Sequence, residues 1–249
     1  MFFQAVNAAR VRQAPPSAAF VTTNLYAYYD AVNPGASGWQ DLHQSLNPST
    51  YTYNMANVNG AAFTTIGGVA ALYLDGVNDY CFLQQRPKQM DDPLLNVNLL
   101  NYTYQCWIRS NGAWLGSGNF WAAGYNQASR SRWSGGVRIY APNMDTFGLT
   151  YIPEATFTTN TWHHMVVRME NLGANDRLTV FRNAVQTGQD TTGNYNPTDL
   201  NGNDFFLGSF NGAGEFQRQY VGLCRRYNIA LTAAQVTQNF NAEKARFGY

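Results

Sequence analysis

From about Thr22 onward the chain is a succession of short runs in which apolar and polar residues alternate, broken by Gly, Asn, Asp and Pro. A period of two puts every second side chain on one face, the signature of a strand buried on one side. Residues 102–109 set Tyr104, Cys106 and Ile108 against Thr103, Gln105 and Trp107. Residues 162–169 set His163, Met165, Val167 and Met169 against Trp162, His164, Val166 and Arg168. Residues 69–74, 80–83, 178–181, 205–207 and 220–227 read as further strands, with Asn183-Ala184 as the turn after the 178–181 run. Their regular spacing predicts an all-β, two-sheet antiparallel sandwich. One helix is predicted, over 232–246. Thr232 and Gln235 match a capping box. Ala233, Val236 and Phe240 then share a face, and Phe247 extends that stripe as core packing. No repeat of fixed period and no linker divides residues 22–249, which read as one domain. Residues 1–21 carry Pro15-Pro16 and read as an N-terminal arm or a leading strand.

Composition sharpens this picture. Only 12% of the 249 residues are charged, and the net charge is +1. Yet 45% are hydrophobic and 15% aromatic, so polarity comes from uncharged groups such as the 27 Asn and 20 Thr. Such a balance argues against disorder and gives no electrostatic footprint for nucleic acid. No apolar run is long enough for a helix to span a membrane. Arginine outnumbers lysine 14 to 2. Lineage bias explains that as well as interface chemistry does. Cys81, Cys106 and Cys224 have neither paired nor metal-type spacing. They read as three free thiols, at least two in the core, in keeping with a reducing compartment. The first residues lack the basic and apolar regions of a secretory signal. The sequon at Asn101 reads as a chance match.

Several motifs together carry a family resemblance. Tyr29-Asp30, Asn33-Pro34 and Trp39 to Leu42 resemble the opening of LamG-like domains, as do residues 74–80, Cys106-Trp107-Ile108 and 162–167. Residues 227–232 and 238–248 form the strongest piece. In this order they resemble the concanavalin A-like lectin/glucanase superfamily. The closing stretch is similar to LamG-like jelly rolls of phage and other large-DNA-virus structural proteins. The resemblance implies a jelly-roll sandwich. Two positions depart from it: Asn183-Ala184, where the family usually has Asn-Gly, and Arg226, where an aliphatic residue is usual. Alanine resists positive φ, which predicts a different turn. Arg226 implies an exposed strand edge or a partner.

Catalysis finds little support. Glycoside hydrolysis needs two carboxylates across the scissile bond. None of Glu154, Glu170, Glu215 and Glu243 has a second acid two residues away, and Asp91-Asp92 would point to opposite faces. His163-His164 diverge on a strand and lack a third metal ligand nearby. Relatives of this fold bind calcium, so Asp30, Asp41, Asp75 and Asp79 leave that ion open, although turn chemistry explains Asp75-Gly76 equally well.

Residues 112–140 are the most distinctive stretch. Trp114, Phe120, Trp121, Tyr125, Trp133 and Tyr140 are interleaved with Arg130, Arg132 and Arg138. Rings and guanidinium groups of this kind serve a sandwich core, a subunit interface or a glycan, in that order of expectation. Trp114, Trp121, Tyr125, Arg130, Arg132 and Trp133 are the candidate contacts for glycan or partner. With the resemblance, they imply a non-enzymatic virion structural protein: a minor capsid, decoration or tail-associated subunit, assembled in the host cytoplasm among other capsid subunits. A carbohydrate-binding lectin module is the alternative, and a polysaccharide-cleaving enzyme the least favoured reading.

Overall fold

The computed structural model describes residues 19–35, 38–43, 54–83, 101–113, 119–123, 129–133, 136–140, 152–153, 157–173, 176–193, 205–209 and 214–249. Two antiparallel sheets hold all the strands found there. Sheet A runs β14 (Val185–Gly193), β13 (Asp176–Arg182), β12 (Trp162–Asn171), β7 (Tyr102–Ser110), β16 (Arg218–Tyr227), β5 (Val69–Asp75) and β4 (Ala62–Ile66). β1 (Leu25–Asp30) pairs with the other half of β16. Sheet B runs β11 (Ile152–Pro153), β10 (Gly136–Tyr140), β9 (Ser129–Trp133), β8 (Asn119–Ala123), β15 (Phe205–Leu207), β6 (Tyr80–Leu83), β3 (Met55–Val58) and β2 (Gly38–Trp39). This is the predicted jelly-roll sandwich.

The alternation seen in the sequence decides which face is which. Tyr104, Cys106, Ile108, Met165, Val167 and Met169 point between the sheets, where they meet Trp39, Met55, Cys81, Phe120 and Leu207. Each large apolar side chain sealed there contributes about 1.5–3 kcal/mol. The opposite face of β7, β12 and β13 is buried as well, with Trp107, Val166 and Phe181 essentially inaccessible. The cover is helix α1 (Ala233–Glu243), which continues as a 3₁₀ turn, Lys244–Phe247.

The capping box at Thr232 is present: the Gln235 N–H donates to Thr232 Oγ1 and the Thr232 N–H to Gln235 Oε1. The predicted extent needs correction, because the α-helix ends at Glu243 and Phe247 is reached through the 3₁₀ turn. Ala233 is exposed, and the buried positions of α1 are Val236, Asn239 and Glu243. Phe247 stacks on Trp107 with ring centroids 4.2 Å apart. That approach requires Gly222 at the bulge of β16, since a Cβ there would lie 2.5 Å from the Phe247 ring.

Three further expectations change. Asn183 and Ala184 both adopt positive φ, 52° and 65°, between the paired residues Arg182 and Val185. The hairpin therefore keeps the two-residue turn that Asn-Gly would make, with alanine held where glycine is easier. Asn183 helps hold it, accepting the His164 N–H and donating to the Tyr249 hydroxyl. Arg226 sits on an interior strand rather than an edge, its guanidinium 4.8 Å from the Tyr26 ring and 5.3 Å from that of Tyr104. Cys106 and Cys224 are not free thiols. They face each other across β7 and β16 and form a disulfide. Their separation of 118 residues closes a long loop, a cross-link that stabilises by about 2–5 kcal/mol. Cys81 remains a buried free thiol, donating to Asn57 Oδ1. Residues 1–18 of the predicted arm lie outside the described residues.

Candidate binding face

A sandwich offers two outer faces, and this one treats them differently. The outer face of sheet A is sealed by α1 through polar contacts as well as rings. Arg225 on β16 forms a buried ion pair with Glu243 on α1, and the Trp107 Nε1–H donates to the other oxygen of Glu243 at 2.6 Å. Burial opposes the charge of Arg225, but the Glu243 carboxylate outweighs it and holds the guanidinium protonated above its ordinary value. The guanidinium is also stacked 3.7 Å from the Phe20 ring centroid, a favourable cation–π contact when water is excluded. Asn239 donates to Gln105 and to the Tyr227 hydroxyl, and accepts the Val21 N–H at 2.7 Å. Beneath α1 this face is packed as a second core.

The histidine pair diverges as predicted. His163 stacks on Phe157 at 4.2 Å and its Nε2–H donates to the Thr158 carbonyl. His164 lies 5.0 Å from Trp107 beneath α1. Burial pushes His163 down to about 4 and His164 down to about 3, with Arg225 adding to the latter. Both rings are neutral packing elements.

The four loop aspartates are braces. Asp30 accepts from the Tyr28 hydroxyl and the Val32 N–H, and pairs with Arg246 at 2.7 Å. Asp75 accepts the N–H groups of Val77, Asn78 and Asp79. Asp79 accepts those of Gly60 and Asp75. Asp41 accepts from Tyr28 and His43, joining the end of β2 to β1. Burial raises its carboxyl from 3.8 to about 6, against the lowering effect of those two donors. Among the described residues no group of three or more His, Cys, Asp and Glu side chains is placed to hold a metal ion.

Sheet B carries the candidate contacts, and its register sorts them. Trp121 pairs with Leu207 on one side and Ser131 on the other. Leu207 pairs with Cys81, and both belong to the core. Positions 121, 131 and 133 therefore share the core side of the sheet. Arg130 pairs with Ala122, which pairs with Phe206, then Phe82, then Ala56. That row lies on the outer side, and Arg132 shares it by alternation. So the register separates the candidate positions: 130 and 132 fall on the outer side of the sheet, 121 and 133 on the core side. Trp114 and Tyr125 lie outside the described residues.

The sequence reading missed the rings on the same outer side, three strands from Arg130. Tyr80 and Phe82 are alternate residues of β6 on this outer face, half-buried, with ring centroids 6.0 Å apart. Phe216 adds a third ring 6.4 Å from Tyr80. On β10, Arg138 pairs with Arg132 and Tyr140 with Arg130. The row Tyr140, Arg130, Ala122, Phe206, Phe82 and Ala56 crosses six neighbouring strands, a span of about 24 Å at the usual strand spacing. Period-two alternation in the 80–83 run was the available signal, but the register that aligns it with β9 is long-range.

Comparison with known proteins fits this architecture. A model of the concanavalin A-like lectin/glucanases superfamily matches residues 86–237. Similar solved structures include the binding domain of Paraclostridial mosquitocidal protein 1, with 16% identity and a TM-score of 0.65 over 88% of this chain and 52% of that one. The botulinum neurotoxin type G receptor-binding domain matches at 11% identity and a TM-score of 0.57, over 88% of this chain and 51% of that one. Trypanosoma rangeli sialidase matches at 14% identity and a TM-score of 0.65, over 93% of this chain but 35% of the enzyme. The chain thus spans about half the length of the toxin domains and about a third of the sialidase. No curated protein sequence matches. At these identities the neighbours establish the fold alone. The family match, covering more than half of the residues, establishes more: the chain belongs to the concanavalin A-like lectin/glucanase superfamily.

Proposed function

We propose that this protein is a non-catalytic binding module that holds a glycan on the outer face of sheet B. The observation that carries the reading is the pair of half-buried rings, Tyr80 and Phe82, on the outer side of sheet B, in register with further aromatic and arginine positions, on a face that α1 leaves alone. Rings stack on the apolar faces of pyranoses, and planar donors bond to their oxygens. The toxin neighbours, a binding domain and a receptor-binding domain by name, are consistent with it. A non-catalytic role is supported by the carboxylates. The described strands of sheet B contain none. Glu170 is held between Arg168 and Arg177, and Glu243 by Arg225. A glycan array probed with and without calcium tests the reading. Retention of one glycan class, reduced by Phe82→Ala, is the expected result; no retention in either condition would sink it.

A second reading, a subunit of a virion or other large assembly, draws on the edges of sheet A. β4 contains no charged residue and no proline, the usual guards against edge-to-edge pairing, whereas β14 carries Asp190 and a bulged register. The edges of sheet B, β2 and β11, are two residues long, and β11 contains Pro153. Sedimentation velocity discriminates: a strictly monomeric species at every concentration removes this reading and leaves the first intact.

A further inference from the structure

The helix that covers sheet A closes over a histidine. His164 is inaccessible and pairs with Trp107 across β12 and β7. Its ring lies 5.0 Å from that of Trp107 and 5.8 Å from that of Phe240 on α1. Both ring nitrogens are buried, and neither has a hydrogen-bond partner among the described residues. The elements around it, β7, β13, β16, α1 and residues 244–249, lie wholly within those residues. They bring few charged or titratable groups. β16 brings Arg225, whose like charge adds to the burial that keeps His164 neutral. α1 brings Glu243, already engaged by Arg225 and by the Trp107 Nε1–H. Beyond α1, Lys244 Nζ lies 5.9 Å from the Phe240 ring, and the Tyr249 hydroxyl donates to the Trp162 carbonyl. β13 leads to Arg182, whose charge acts on His163 and Tyr249. A proton on His164 therefore meets cations from three elements and one carboxylate that is already paired.

We infer that α1 and its 3₁₀ turn form an acid-released lid: protonation of His164 opens them from the outer face of sheet A and leaves the sandwich beneath folded. An imidazolium carries two N–H donors, and burying them without acceptors is costly. The closed lid supplies no acceptor, whereas the open one admits water. The damage is confined to one side of β12. His163 faces the other way, stacked on Phe157 and bonded to the Thr158 carbonyl, so lid opening leaves it in place. Beneath the lid, β7 and β16 are joined by the Cys106–Cys224 disulfide, and β7 and β12 stay in register from Trp162 to Met169. Opening thus exchanges a covered surface for an apolar one that includes Trp107, Val166, Phe181 and Leu223. The direction follows from the proton. His164 titrates at about 3 with the lid closed, against 6.5 when exposed. Closure is therefore at full strength above about pH 6.5, and the open fraction rises about tenfold per pH unit below it.

The test is hydrogen exchange on the full chain between pH 7.5 and 4.5, with the intrinsic pH dependence of exchange divided out. We expect protection over residues 233–247 to fall about 100-fold across that range while β7, β12 and β16 keep theirs. His164→Phe retains the stacked ring without the titration and should hold protection of α1 constant. Should that variant fail to fold, the imidazole signals of the parent decide: His164 should titrate together with the loss of α1 protection, and His163 should not. Equal loss over α1 and the strands, loss undiminished in a folded His164→Phe variant, or constant protection of α1 in the parent overturns the lid. So does joint titration of His163 and His164.

Discussion

Sheets A and B are layered on one core but differ in how they use charge. Sheet A mixes signs along its strands, carrying Asp30, Asp75, Glu170, Asp176 and Asp190 among its arginines, and its outer face is closed by α1. The described strands of sheet B carry arginine as their one charged residue type, at positions that the register puts on the side away from the core. The contrast teaches that an arginine-rich composition has two separate origins in one chain. On sheet A the guanidinium groups are structural, locked by carboxylates, carbonyls and rings. The described strands of sheet B contain arginine without a carboxylate.

The comparison can be broken hardest at the buried pair. Glu243→Ala leaves Arg225 charged beneath α1 without its carboxylate. We expect a loss of about 3–5 kcal/mol by urea denaturation. Replacing both partners together with Met and Leu should recover part of it, because no stranded charge remains and only the Trp107 Nε1–H loses its acceptor. A loss as large in the double variant would show that packing, not charge, holds the helix.

Asp41 tests the joint between the sheets. Its carboxyl binds a proton more tightly in the folded protein than in the unfolded chain, about 6 against 3.8. The stability it contributes is therefore full below about pH 4 and is lost as pH rises through 6, about 3 kcal/mol for a shift of this size. Asp41→Asn keeps the acceptor for Tyr28 and His43 and should remove that component from the pH–stability curve. An unchanged curve would place the proton elsewhere.

A smaller effect lies at the hairpin of sheet A. Ala184 holds φ at 65°, a conformation that costs an L-residue about 1–2 kcal/mol. Ala184→Gly should raise stability by about 1 kcal/mol, measured as a higher urea midpoint at unchanged slope. The smallest effect belongs to sheet B. Arg132→Gln should leave stability within about 0.5 kcal/mol, or raise it slightly by relieving Arg138. A large loss there would mean that this arginine is structural after all, and would erase the difference between the sheets.

The inner and outer faces of β7 and β12 were legible because alternation is a local property. The capping box at Thr232 was legible for the same reason. What escaped were features set by partners far along the chain. Asn239 and Glu243 look like ordinary exposed polar residues of a helix, yet both are buried, because Gln105, Trp107, Tyr227 and Arg225 wait beneath them. Cys106 and Cys224 showed no motif because their pairing comes from register across 118 residues. The candidate face was half legible. Composition drew attention to Arg130 and Arg132, but adjacency in sequence could not separate them from Trp121 and Trp133, whose positions the register assigns to the core side. Nor could it place Tyr80 and Phe82 in the same outer row.

The lid formed by α1 also has a kinetic meaning. The helix has its own start signal and can form locally, on a submicrosecond scale. It has nowhere to dock until β7, β12 and β16 have paired, since Trp107 and Glu243 are 136 residues apart. Until then the outer face of sheet A presents Trp107, Val166, Phe181 and Leu223 to water. Late closure of this kind makes a partly folded chain sticky on the side that is inert in the finished molecule. Aggregation during refolding should therefore respond to changes in α1 more than to any change at the arginines of sheet B.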